Sequence, residues 1–171
     1  DHQLYVSRGA AHGIKGNIDL ALKDFDHSIA LAPNFGVGHM NRATALERKG
    51  DYVSALLDYD RALALIPENW VAWDGRCWVR AVVGTDLDGA LSDCNRALSL
   101  QPNSPNTLNS RGLVHYRSLR FREAISDYDA SIAGDPNVAS SYYVRGLARR
   151  ALGDDAASRT DDLKARLIQP G

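Results

Sequence analysis

The chain has 171 residues, 44% hydrophobic and only 8% aromatic, with a formal net charge of −1. That balance excludes a general nucleic-acid binder, whose affinity comes from a basic surface that displaces counterions. No apolar run approaches the ~20 residues of a membrane-spanning helix, so no membrane insertion is expected.

The chain opens Asp1-His2-Gln3, without an initiator Met and almost on a repeat boundary. It reads as a mature or trimmed piece, and the lack of a signal peptide says nothing of its parent. The first unit, residues 2–35, carries a helical pattern through Gly9, a break at Gly16-Asn17, and a second pattern through Ala21 and Phe25 that ends at Pro33.

In the second unit, residues 36–69, Val37, Met40, Ala43, Thr44 and Leu46 recur at helical spacing until Lys49-Gly50-Asp51 interrupts them. Gly50 supplies the left-handed residue that ends a helix, and Asp51 caps the next. That next helix runs over Tyr52–Leu65 with Ala55, Tyr59, Ala62 and Leu63 on its inner stripe, and Pro67 stops it. The third unit, residues 70–104, repeats the scheme with one extra residue at its turn, Gly84-Thr85, and holds Trp70, Trp73 and Trp78.

In the fourth unit, residues 105–138, Pro105 stands where proline starts helices best, and Leu119-Arg120 replaces the glycine turn, predicting a poorly capped junction. The fifth, residues 139–171, turns at Gly153-Asp154. Asn34, Asn69, Asn103-Ser104 and Asn137 follow the prolines and are expected to cap the helices after them.

Pro33, Pro67, Pro102, Pro136 and Pro170 stand 34, 35, 34 and 34 residues apart. In register with them run Phe25, Tyr59, Cys94, Tyr128 and Asp162, then Ala21, Ala55, Ala90, Ala124 and Ser158, then Gly9, Ala43, Cys77, Gly112 and Gly146. This pattern of a small residue, Ala-x3-aromatic and Pro resembles the tetratricopeptide repeat from end to end. The resemblance implies an all-α, right-handed superhelical solenoid of five helix-turn-helix repeats forming one domain. Each hairpin is too small to bury its apolar face alone, so neighbours must stack.

An Arg precedes the small residue in every unit (Arg8, Arg42, Arg76, Arg111, Arg145), and an Asp precedes the aromatic slot (Asp24, Asp58, Asp93, Asp127, Asp161). These read either as a basic ladder awaiting an acidic ligand or as five ion pairs tying the helices. The pairing is favoured, because every Arg has its own Asp and lone buried charges are costly.

In the family the first helices line the concave face. Carried over by position, that surface comprises Val6, Ala10, Met40, Asn41, Thr44, Asp74, Trp78 and Val82 in the first three units. The last two add Asn109, Leu113, Tyr116, Arg117, Tyr143, Leu147 and Arg150. Met40, Asn41, Trp78, Asn109, Leu113, Tyr116, Arg117, Tyr143, Leu147 and Arg150 are the expected contacts for a peptide or partner protein. Trp78 reads equally as a contact or as a seal between hairpins, whereas for Tyr143 the seal is the favoured reading. Some members grip acidic C-terminal tails with a clamp of Lys, Asn and Arg. Here Asn41 matches one clamp amide, but Val6, Ala10, Val71 and Gly75 fill other clamp positions, so no such clamp is expected.

No motif carries chemistry. There is no His-Glu-x-x-His, and Gly36-Val37-Gly38 lies at a repeat junction, away from any strand-to-helix turn. Neither an enzyme, a cofactor nor a metal is expected. Cys77 and Cys94 occupy facing slots of one hairpin, where they form either a disulfide or two buried thiols. A bridge implies an oxidising compartment. Arg-Gly steps and Asp58-Tyr59-Asp60-Arg61-Ala62 resemble bacterial repeat proteins, many of them exported, which favours a periplasmic or exported location over a cytoplasmic one. The alternative function is a self-assembling module that stacks through its end helices. The sequence leaves the oligomeric state open.

Overall fold

The computed structural model describes residues 1–169; Pro170, the fifth proline of the beat, lies outside them, as does Gly171. Among the described residues there are ten α-helices and no strand: α1 (His2–Ile14), α2 (Ile18–Leu31), α3 (Gly36–Lys49), α4 (Tyr52–Leu65), α5 (Trp70–Val83), α6 (Leu87–Leu100), α7 (Pro105–Arg117), α8 (Phe121–Gly134), α9 (Ala139–Ala151) and α10 (Asp155–Ile168). Each odd helix packs along the even helix that follows, and each even helix packs on the next odd one. The result is a solenoid of five helical hairpins.

The turns follow from the residues at them. Gly16, Gly50, Gly84 and Gly153 take φ between 79° and 85°, the left-handed region open to glycine. Leu119 occupies the same place with φ 60°, and Arg120 begins α8 without a side-chain cap, as its turn sequence predicts. Leu119 is 74% exposed, so its side chain has little packing to lose. Leu119→Gly is therefore expected to raise stability by about 1 kcal/mol, the cost of a left-handed non-glycine residue. Urea denaturation checks this, and an unchanged or lower midpoint would mean that the turn carries no strain.

The caps follow a rule that the Asn residues obscure. The N-cap always stands two residues after the proline: Phe35, Asn69, Ser104 and Val138. Asn69 and Ser104 sit there and accept from Ala72 and Thr107. Asn34 and Asn137 sit one residue early and do not cap. The amide oxygen of Asn34 instead accepts from Arg61 at 3.0 Å.

The core is a string of small clusters along the solenoid. Ala21, Ala55, Ala90, Ala124, Cys77 and Cys94 are fully buried. Gly9 and Gly112 lie against the aromatic slot of their own hairpins. A Cβ at Gly112 would lie 3.0 Å from the Tyr128 ring, and one at Gly9 would press on Phe25. Cys77 and Cys94 form a disulfide with Cα atoms 5.4 Å apart.

The Arg–Asp pairs form in all five hairpins. Each Arg grips its Asp through Nε and Nη2 at 2.5–3.0 Å, the two-pronged geometry natural to guanidinium and carboxylate. From the second hairpin on, Nη1 adds a bond to the preceding hairpin: Arg42 to Asp26, Arg76 to Asp60, Arg111 to Asn95 and Arg145 to Asp129. One side chain thus fixes both the angle of its own hairpin and the register of the stack.

Candidate functional site

Successive odd helices touch one another and successive even helices do not, which puts the odd helices on the inner side of the curve. α5 and α7 approach over the greatest length. Their closeness follows from the small residues Thr107 and Ser110, both buried on α7, while Gly75 on α5 leaves room for the Tyr59 ring of α4.

The residues that sequence places in the groove divide among three locations. Asn41 borders a small cavity near the start with Ala10 and Thr44. Trp78 and Asn109 meet at the centre, in a cavity of about 280 Å³ that also takes in Glu47, Asp74, Asn106, Ser110 and Val138. Tyr143, Leu147 and Arg150 line a separate cavity of about 530 Å³ on the last hairpin, with Asp162, Ala165 and Arg166.

The remaining residues serve the framework. Met40 packs on the core around Tyr59, Leu113 on the cluster around the disulfide, and Tyr116 against Phe121 with ring centroids 5.8 Å apart. Arg117, expected as a groove cation, donates to the carbonyl of Ala81 at 2.9 Å and to that of Val82. It closes the C-terminal end of α5, which is where a cation is most favourable to a helix. Arg150 is paired with Asp162 at 2.8 Å. Trp78 both seals and lines: it is half-buried on the core of the second hairpin, edge-on to Tyr52, and borders the central cavity. Asn109 donates to Ser141 at 2.6 Å, which fixes the orientation of its amide.

The central cavity is the electrostatically unusual place. Burial pushes the Glu47 carboxyl up to about 7, with the Asp74 charge adding to the rise and a hydrogen bond from Tyr59 at 2.8 Å opposing it. Burial pushes Asp74 up to about 6, against the hydroxyls of Ser110 and Thr107. Sequence reasoning places Asp74 on this surface without a role and misses Glu47. The signal that marks both is that neither belongs to the repeated Arg–Asp pattern.

No curated protein matches the chain in sequence. Among solved structures, MamA from Desulfovibrio magneticus RS-1 is 17% identical with a TM-score of 0.80, over 99% of this chain and 97% of that one. YrrB, described as a TPR protein with an unusual peptide-binding site, is 20% identical with a TM-score of 0.73, over 99% and 87%. In the Cut9–Hcn1 assembly this chain matches a third of a longer chain (34%) at 18% identity, with a TM-score of 0.89 over 99% of its own length. These likenesses show the fold. Two models of the tetratricopeptide repeat match residues 37–69 and 109–169, together more than half the sequence. The first of them spans the α3–α4 hairpin and its link to α5, so the unit that the models describe is the unit that stacks here, and the chain belongs to the tetratricopeptide repeat family.

Proposed function

We propose that the chain is an interaction scaffold that holds an extended peptide or partner segment along its inner groove, with Trp78 and Asn109 at the centre. The observation that carries this reading is the central cavity. It is a concave site with an aromatic wall and oriented amide and hydroxyl groups, built from three successive odd helices. YrrB supplies a precedent for peptide binding on the same fold. In this reading the chain works by binding and performs no catalysis, its partner is a protein or peptide and not a nucleic acid, and the disulfide suits an oxidising compartment.

The test is capture of the partner by wild type and variants from cells of the source organism, with melting curves to confirm folding. Trp78→Ala with Asn109→Ala is expected to weaken the captured complex tenfold or more, about 1.4 kcal/mol, as loss of one anchor does. Val53→Ala, at a 74% exposed position on α4, is expected to change nothing. Silent groove variants beside a damaging Val53→Ala would move the site to the outer helices.

End-to-end stacking of copies is the second reading, and exposed Leu4, Leu163 and Leu167 at the two ends favour it. The junction chemistry opposes it. Where internal junctions bury Gly38, Ala72, Thr107 and Ser141, the first hairpin has Leu4; where they offer Asp26, Asp60, Asn95 or Asp129 to the next Arg, the last has Leu163.

A further inference from the structure

Glu47 and Asp74 stand apart from every other charge around them. Arg76 is committed to Asp60 and Asp93, Arg80 to Asp93, and Arg111 to Asp127 and Asn95. Arg48, beside Glu47 on α3, reaches back to the carbonyl of Gly13 at 2.7 Å, and Arg117 closes α5. No cation of the chain pairs with either carboxyl among the described residues. Oδ1 of Asp74 is shielded from water and has no hydrogen-bond partner. Both acids border the same cavity, beneath Trp78 and beside Asn109 and Ser110.

Two features separate this pair from a structural acidic cluster. Neither acid recurs along the solenoid. The position of Glu47 holds Gly13, Ala81, Tyr116 and Arg150 in the other hairpins, and that of Asp74 holds Val6, Met40, Asn109 and Tyr143. Asp74 is half-buried, and a carboxyl oxygen that is shielded and unsatisfied destabilises the fold unless something in use of the protein compensates it. The cavity is walled by an indole, a surface suited to a cation and to the aliphatic stem that carries it.

Building on the peptide-groove reading, we infer that the centre of the groove is a receptor for one basic side chain, a lysine or arginine of the bound segment, seated between Glu47 and Asp74 against Trp78. The flanking main chain would be held by the amides of Asn109 and Asn106. The partner is thus a segment with a basic residue at its anchoring position, and the five Arg of the framework, each already paired, take no part in recognising it.

The experiment measures binding of extended decapeptides that differ only at one central position: lysine, arginine, norleucine or glutamate. Lysine and arginine peptides are expected to bind wild type at least tenfold more tightly than the norleucine peptide, and the glutamate peptide least. Glu47→Gln with Asp74→Asn should abolish that preference while leaving norleucine binding intact. The same double variant should melt above wild type at pH 8 and lose that advantage towards pH 4. Both carboxyls have raised folded-state values, so the wild type loses stability as pH climbs from the unfolded carboxylate range towards about 7. The other groups facing Glu47 are Tyr59 from α4 and Arg48 on its own helix, and those facing Asp74 are the uncharged Ser110 and Thr107 from α7.

Equal binding of lysine and norleucine peptides, lost in Trp78→Ala, would overturn the basic receptor and leave the groove reading standing. Absence of binding by all four peptides would overturn both. Displacement of the lysine peptide by calcium chloride, beyond the effect of matched ionic strength, would assign the two carboxyls to a metal and overturn the proposal. A double variant that keeps the lysine preference would overturn it as well.

Discussion

Replacing Asp93 by alanine is expected to destabilise the chain by about 3–5 kcal/mol, among the largest effects available to one surface-neutral substitution in it. Asp93 is 2% exposed and accepts three bonds: from Nε and Nη2 of Arg76 at 2.9 and 2.7 Å, and from Nη1 of Arg80 at 2.8 Å. Alanine would leave two guanidinium groups in a partly buried place with only Asp60 and Asp86 nearby. Desolvation of those groups, and not the bare strength of one ion pair, sets the size of the loss.

Asp26→Ala provides the contrast. Asp26 accepts no side-chain bond from its own hairpin and its side chain is 59% exposed, so removing its bond from Arg42 should cost under about 1 kcal/mol. Urea denaturation of both variants checks the pair. A loss below about 1 kcal/mol for Asp93→Ala would show that the inner rungs contribute register alone. Replacing both partners, Arg76→Met with Asp93→Leu, should recover most of the loss, because no charge is then stranded.

The two tiers of the ladder also show what one sequence makes legible in a solenoid. Contacts here join neighbours one repeat apart, so any residue that recurs every 34 positions announces its partners by spacing. The prolines, the Ala and aromatic slots and the five Arg–Asp pairs are all of this kind, and the hairpins follow from them. The Nη1 bonds to Asp26, Asp60, Asn95 and Asp129 were equally periodic, at the second residue after each paired Asp (an Asp in three hairpins and an Asn in the third), yet they span hairpins and need the stacking angle to be seen.

Features that occur once are harder to read. Arg117 looks like a groove cation until α5 and α7 close together and bring the carbonyls of Ala81 and Val82 within its reach. Glu47 and Asp74 look like two surface acids until the packing of the odd helices half-buries them. Asn34 and Asn137 are good capping residues one position out of place. In each case the deciding quantity is a burial or a one-residue offset created by packing, which composition and period do not carry. Cys77 and Cys94 fall between these classes, since the slots are periodic but the residues filling them are unique to the third hairpin.

That hairpin is where a second large effect is expected. Reduction of the Cys77–Cys94 bond, or Cys77→Ala with Cys94→Ala, should lower stability by about 3 kcal/mol, the chain-entropy value for a closed loop of about 18 residues. The hairpin has reason to need the tie. Its second helix begins 17 residues after its first, against 16 in the other four, so this hairpin carries one residue more than the repeat supplies elsewhere. The aromatic that packs this slot in the first, second and fourth hairpins is missing, and a cysteine fills the space instead. The bond ties α5 to α6 and packs against Val114 of α7, and α5 and α7 carry Trp78, Asp74 and Asn109, so loosening it should widen the central cavity as well as weaken the fold. Thiol titration of protein made under oxidising conditions should find no free cysteine until the chain is unfolded in reductant. Urea midpoints with and without dithiothreitol then give the stability term. Two titratable thiols in the oxidised material would remove the argument for an oxidising compartment, and a double-alanine variant with the wild-type midpoint would show that packing alone holds the third hairpin.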